Sequence, residues 1–248
     1  MASAPIIDSA LKAAAEEAAH DLVSVRHWGD ASFVSLPLIN PDGSSSTVRI
    51  KRAPGGFQVD DAGFTYRDLK RAGADRSFSR AASKAAERDD LQVDNKVISV
   101  RVTADELARA ISDVGLAAWS VLDTVYERLN AEEAEIAESL RERLLKIFAA
   151  SVDEAKSIPG MSTNPWEVTG IVRQGEHVAV FQAVANHANS VYRASAAFHD
   201  LAALPVPPTL ISVVRDRKAL GAKLSLLAQA GRVIEYDQAD DVFMRAAA

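Results

Sequence analysis

Two tight turns set close together constrain this chain more than any other feature. "NPDGSSS" at 40–46 and "APGG" at 53–56 bracket "TVRIKRA", in which Val48 and Ile50 alternate with Arg49 and Lys51. Period-2 alternation marks a strand with one buried and one wet face. "ASFVSLPLIN" before the first turn and "FQVDDAG" after the second are also strand-like. Connections this short hold no crossover, so the three strands are expected to form an antiparallel meander.

The third strand runs into "VDDAGFTYRDL" (59–69). As chemistry, Asp60 and Asp61 would be an acid pair, but adjacent strand residues point to opposite faces and diverge. As a joint, Asp61 accepts backbone N–H groups, Gly63 supplies a positive φ, and Thr65 caps a short helix with Asp68 completing a capping box. Gly73 then ends that helix. The joint is the preferred reading, which leaves no metal and no catalytic residue assigned here.

"ADRSFSRAASKAAERDD" comes next and predicts a helix over about 77–88. Arg76, Arg80, Lys84 and Arg88 recur at i, i+4 on one of its faces, the spacing a phosphate-tracking surface needs. The chain as a whole carries a net charge of −6, yet residues 49–88 hold ten basic side chains against five acidic ones. A basic face on an acidic protein points to an anionic partner, protein or nucleic acid.

Elsewhere the pattern is ordinary. A helix is expected over 7–27, with Ser3 as a cap. "VDNKVISVRV" reads as a hairpin, and Thr103 caps a helix over about 104–129. A second long helix spans about 132–152 and is broken by "SIPGMSTNP". The two stripes, Leu107 to Leu129 and Ile136 to Phe148, are wide enough for a homodimer to use. Then come strands at Glu167–Arg173 and His177–Val184, a helix at about 188–203, a strand at Thr209–Val214, a helix at about 216–230 and a strand at Arg232–Tyr236. The fold class is therefore α+β: a small antiparallel sheet with helices over 1–130, then an α/β unit with a mixed sheet over 131–248.

No cysteine is present, which removes disulfides, thiolate metal sites and cysteine nucleophiles. Secretory and membrane-spanning patterns are missing, so a cytoplasmic protein is expected. His177, His187 and His199 join no ligand motif, and Ser195 and His199 at i, i+4 would be surface neighbours on a helix. No cofactor is expected.

"VDDAGFTYRDL" resembles the signature of an uncharacterised bacterial and prophage-associated family, D-x-G-x-T-x-x-x-L between a strand and a short helix. Asp61, Gly63, Thr65 and Leu69 match it, while Ala62 stands where that family often has a second acid. The resemblance covers about residues 20–130 and implies a fold and a mobile-element setting, not a reaction. The element order of the second half is similar to restriction-endonuclease-like nucleases. That likeness implies a metal-dependent nuclease using Glu167, Glu176 and Asp153. The strand that should carry acid-x-lysine instead reads Phe181-Gln182-Ala183-Val184, so this copy is expected to be degenerate. The sequence thus favours a non-catalytic binding or regulatory protein acting in defence or counter-defence through its basic helix. Nuclease and structural homo-oligomer are the alternatives.

Overall fold

The computed structural model describes residues 8–248. It divides into two compact units, Met1–Tyr126 and Glu127–Ala248. The class is α+β.

The first unit begins with α1 (Ser9–Asp21), then β1 (Ser24–Trp28), β2 (Ala31–Ile39), β3 (Ser45–Ala53) and β4 (Gly56–Asp60). Helices α2 (Phe64–Ala72) and α3 (Phe78–Arg88) and the hairpin β5 (Gln92–Asp94) and β6 (Val97–Val102) complete it. Its sheet has the order β1-β2-β3-β4-β6-β5, with every neighbouring pair antiparallel. The expected meander is its centre. Val34, Val48 and Val59 bury one face against Ala110 and Val114. Their alternates, Arg49 and Lys51, point the other way.

One expectation is corrected at the N-terminal end. The helix predicted over 7–27 stops at Asp21, and Val23, Val25 and Trp28 carry the chain into β1. These are β-branched and aromatic residues, and Gly29, at φ 60, supplies the turn into β2. Ser3 and Ile7 lie outside the described residues. The α1 cap is Asp8, whose carboxylate accepts from Ala10 N–H at 3.0 Å.

The two helices predicted over 104–129 and 132–152 are one, α4 (Leu107–Phe148), 42 residues long. The polar stretch "NAEEAEIAE" does not separate them, because it contains only good helix formers apart from Asn130 and no glycine or proline. Thr103 does not cap α4 as expected, because the helix begins four residues later at Leu107; the Thr103 backbone N–H and hydroxyl both donate to the Glu106 carboxylate in the turn before it, at 3.1 and 2.8 Å. Gly115 sits where a Cβ would fall 2.2 Å from Leu36 Cδ1, so its missing side chain lets β2 approach the helix. The apolar stripe faces mostly inward, with Leu107, Ile111 and Leu129 half-buried. Val114, Ala118, Val121, Leu122 and Val125 are buried in the first unit, and Ile136, Leu140, Leu144 and Phe148 in the second. Each fully buried leucine here contributes roughly 1.5–3 kcal/mol of transfer free energy. The stripe a helix-mediated dimer would need is therefore already covered.

The second unit continues with β7 (Ser157–Pro159), β8 (Pro165–Glu167), β9 (Gly170–Gln174), β10 (His177–Val184), α5 (Ala188–Ala202) and β11 (Thr209–Val214). It ends with α6 (Leu224–Ala230), β12 (Arg232–Glu235) and α7 (Asp240–Ala247). Its main sheet runs β12-β11-β10-β9, with β9 antiparallel to β10 and the other pairs parallel, so the sheet is mixed. The strand expected over Glu167–Arg173 is divided, because Pro165–Glu167 pairs with β7 in a separate hairpin. The α7 helix is an addition to the predicted elements. It buries Phe243 fully, with its ring 6.2 Å from Phe181 and nearly parallel to it.

Candidate functional site: a basic helical face

The DDAGFT joint turns the chain out of the sheet and into α2. Residues of β4 and β6 pair in a fixed register that ends at Asp60 and Ser99. At the next position Asp61 still donates its N–H to Ile98 O at 3.0 Å. Its own carbonyl has turned away, since Ala62 and Gly63 both adopt positive φ. The Asp61 carboxylate takes that carbonyl's place, with Oδ1 accepting Ile98 N–H at 3.0 Å. It also accepts from Gly63 N–H at 3.1 Å and Thr65 N–H at 3.3 Å. Burial raises Asp61 above the usual carboxylate range, outweighing the Thr65 hydroxyl and the backbone donors, which act the other way.

Asp60 serves a separate purpose. It accepts a two-pronged guanidinium contact from Arg49 at 2.8 and 3.1 Å, plus Gln58 at 3.0 Å and Ala62 N–H at 2.9 Å. The two acids diverge as expected. The expected helix cap is corrected: Thr65 lies inside α2, Asp61 supplies the capping acceptors, and Asp68 pairs with Arg71 at 3.3 Å rather than closing a capping box. Gly73, at φ 79, ends α2.

Beyond the joint, Phe78, Ala82, Ala85 and Ala86 bury one side of α3. The opposite side carries Arg76, in the single 3-10 turn before α3, then Arg80, Lys84 and Arg88, all exposed. Arg88 is bound to Asp89 by contacts of 2.9 to 3.3 Å. Among the described residues, Arg76, Arg80 and Lys84 have no carboxylate within 4.0 Å. Successive positions at i, i+4 stand about 6 Å apart along the helix, so the three form an open row of charge.

The second unit holds a cleft of about 620 Å³. It opens where β9 leaves β10 after the Gly170–Phe181 pair, and the Thr169 hydroxyl takes over as acceptor for Ala183 N–H at 3.0 Å. Glu133, Arg141, Lys156, Glu167, Gln182 and Arg193 line it. Sequence spacing gives no sign of this grouping, because its members come from α4, the β7–β8 hairpin, β10 and α5. Much of the charge is already matched. Glu133 is buried and takes bonds from Arg193 and from Ser190 Oγ, the latter at 2.9 Å. His187 accepts Ser190 N–H on Nδ1, which puts its proton on Nε2, 3.2 Å from Glu133 but poorly aligned for a hydrogen bond. Burial pushes Glu133 up, yet His187, Arg193 and Ser190 together hold it below the usual range. Arg141 turns to the carbonyls of Thr169, Asp153 and Glu154.

Neither serine–histidine pair is a nucleophile site. Ser190 Oγ donates to a carboxylate and accepts from Ala185 N–H. His199 bonds the Ser195 carbonyl at 2.7 Å, not its hydroxyl. The acids of the nuclease alternative do not converge. Glu167 ends β8 in the separate β7–β8 hairpin, whereas Glu176 lies in the turn at the far end of β9, beyond Gln174. Asp153 is bound to Arg173 at 2.7 Å. Among the described residues no group of three or more His, Asp or Glu is arranged to hold a metal ion. No helix among them is long and apolar enough to cross a membrane. Comparison of the chain with protein-family models, with curated proteins and with solved structures found no match.

Proposed function

We propose that this chain is a non-catalytic binding protein that holds an anionic partner on the α3 face. The observation that carries the reading is the row Arg76, Arg80 and Lys84, exposed and, among the described residues, without carboxylate partners. Like charges at i, i+4 destabilise an isolated helix by a few tenths of a kcal/mol each. A partner that neutralises them recovers that cost and releases counterions when it is a nucleic acid. The resemblance at 59–69 supports a setting in phage or mobile-element biology, with a regulatory role in defence or counter-defence.

The test is binding of the full chain to labelled duplex DNA across a salt series. Three phosphate contacts give a log–log slope of about −2.7. The double variant R80E/K84E should flatten that slope and weaken binding at least tenfold. Unchanged binding would remove the reading. A second reading, a metal-dependent nuclease, rests on the element order of the second half and on Glu167, the one of its three acids that lines the cleft of the second unit. Cleavage of duplex or single strands with Mg²⁺ or Mn²⁺, lost in E167A, would establish it in place of the first.

A further inference from the structure

We infer that the face of the first unit's sheet turned away from α4 is a platform for single-stranded nucleic acid. The strand register builds it. Residues directly opposite in antiparallel pairs share a face. Trp28 pairs with Ala31, Ala31 with Lys51, Lys51 with Gln58, and Gln58 with Arg101. These five residues form one row across β1, β2, β3, β4 and β6, about 19 Å long at the usual strand spacing. The next row on the same face, about 7 Å away, is Arg26, Phe33, Arg49, Asp60 and Ser99. The intervening residues Val34, Val48 and Val59 point into the core.

The two rows bring the aromatic residues Trp28 and Phe33 onto one face with the cationic residues Arg26, Arg49, Lys51 and Arg101. Trp28 is 83% exposed, which is unusual for the largest apolar side chain in a folded protein. Phe33 lies 6.4 Å from the Phe64 ring, and the Arg67 guanidinium stands 4.4 Å over Phe64. Arg26 and Arg101 are exposed and, among the described residues, have no carboxylate within 4.0 Å. The acids of the face are largely committed. Asp60 is fully buried against Arg49, Asp30 in the β1–β2 turn lies 3.5 Å from Lys51, and Asp94 sits on the far edge strand.

Unpaired bases offer π-faces to an exposed indole, and their phosphates offer charge to arginines spaced across a sheet. A duplex hides its bases and would leave Trp28 without a partner. The platform uses residues separate from the α3 row, so either reading can fail alone.

The experiment measures anisotropy of labelled oligothymidylate, oligouridylate and a duplex of equal length against the full chain at low and moderate salt. The expected result is single-strand binding that W28A weakens at least fivefold, the loss of one stacked base, and that W28F largely restores. R101E should weaken it too and reduce the salt slope by about one. Neither variant should change duplex binding. The exposure of Trp28 and Arg101 makes both substitutions harmless to folding, which thermal melting checks. Absence of single-strand binding overturns the inference. So does equal binding by wild type, W28A and R101E, or loss only in R80E/K84E, which would assign the contact to α3.

Discussion

Asp61→Ala should destabilise the first unit far more than Asp61→Asn. The carboxylate satisfies the N–H groups of Gly63, Thr65 and Ile98. Gly63 is partly exposed, so water can replace its acceptor. Thr65 and Ile98 are 2% and 0% exposed, so water cannot reach theirs. Two orphaned buried donors at roughly 1–3 kcal/mol each give a loss of about 4 kcal/mol for the alanine variant. Asparagine keeps an oxygen for Ile98 and Gly63 and orphans only the Thr65 N–H, about 2 kcal/mol. It also removes the burial penalty of the charge.

The pH dependence comes from the raised pKa of Asp61. A carboxyl raised in the folded state favours folding most below its ordinary value of 3.8. That contribution is lost as pH rises through the folded value. Asparagine has no such loss, so D61N should gain on the wild type across that window. Urea unfolding read through Trp119, with Trp28 and Trp166 replaced by phenylalanine, isolates the unit; the Trp119 indole donates to Ile39 O at 2.8 Å. An alanine variant within about 1 kcal/mol of wild type, or less damaging than asparagine, would refute the claim that the side chain stands in for a strand carbonyl.

Three further outcomes are expected. Glu133→Ala leaves Ser190 Oγ without its acceptor and removes the carboxylate beside His187 and Arg193, and should lower second-unit stability by about 2 kcal/mol, discounted because Arg193 is mostly exposed. Since Glu133 is held below its ordinary value, its contribution exists above 4.5 and disappears as pH falls through the folded value; denaturation at two pH values checks this. Gly160→Ala puts a Cβ 1.9 Å from Asp200 Oδ2, the acceptor of Ser162 Oγ and Trp166 Nε1, so overpacking should lower stability by about 1–3 kcal/mol and shift Trp166 emission. Arg88→Ala should weaken anionic-partner binding less than Arg80→Ala in the same anisotropy assay, because Asp89 already holds Arg88.

Short-range signals in this chain are readable because their physics is local. The alternation around Val48 and Ile50 with its flanking turns predicts the meander, and His177–Val184 and Thr209–Val214 are strands with the limits expected. Composition hides the continuity of α4, since a polar run resembles a linker until its lack of any breaker is weighed. The β1 strand is hidden because α1 ends without glycine or proline; the only signals are Val23, Val25 and the "WGD" turn. The stripe Arg80–Lys84–Arg88 is legible as spacing, but its exposure and the withdrawal of Arg88 to Asp89 depend on the fold.

The sheet platform lies at the other extreme. Trp28, Lys51 and Arg101 are distant in sequence and meet only through four successive strand pairings. A one-residue slip in any of these pairings would send the strands beyond it to the opposite face. The basic excess over 49–88 therefore mixes two surfaces, Arg49 and Lys51 on a sheet and Arg76, Arg80 and Lys84 on a helix. Counting charge cannot separate them; register can. The same register that buries Val34, Val48 and Val59 forces their neighbours Phe33, Arg49 and Gln58 onto the other face. Core packing in this unit thereby fixes which aromatic and basic side chains stand together.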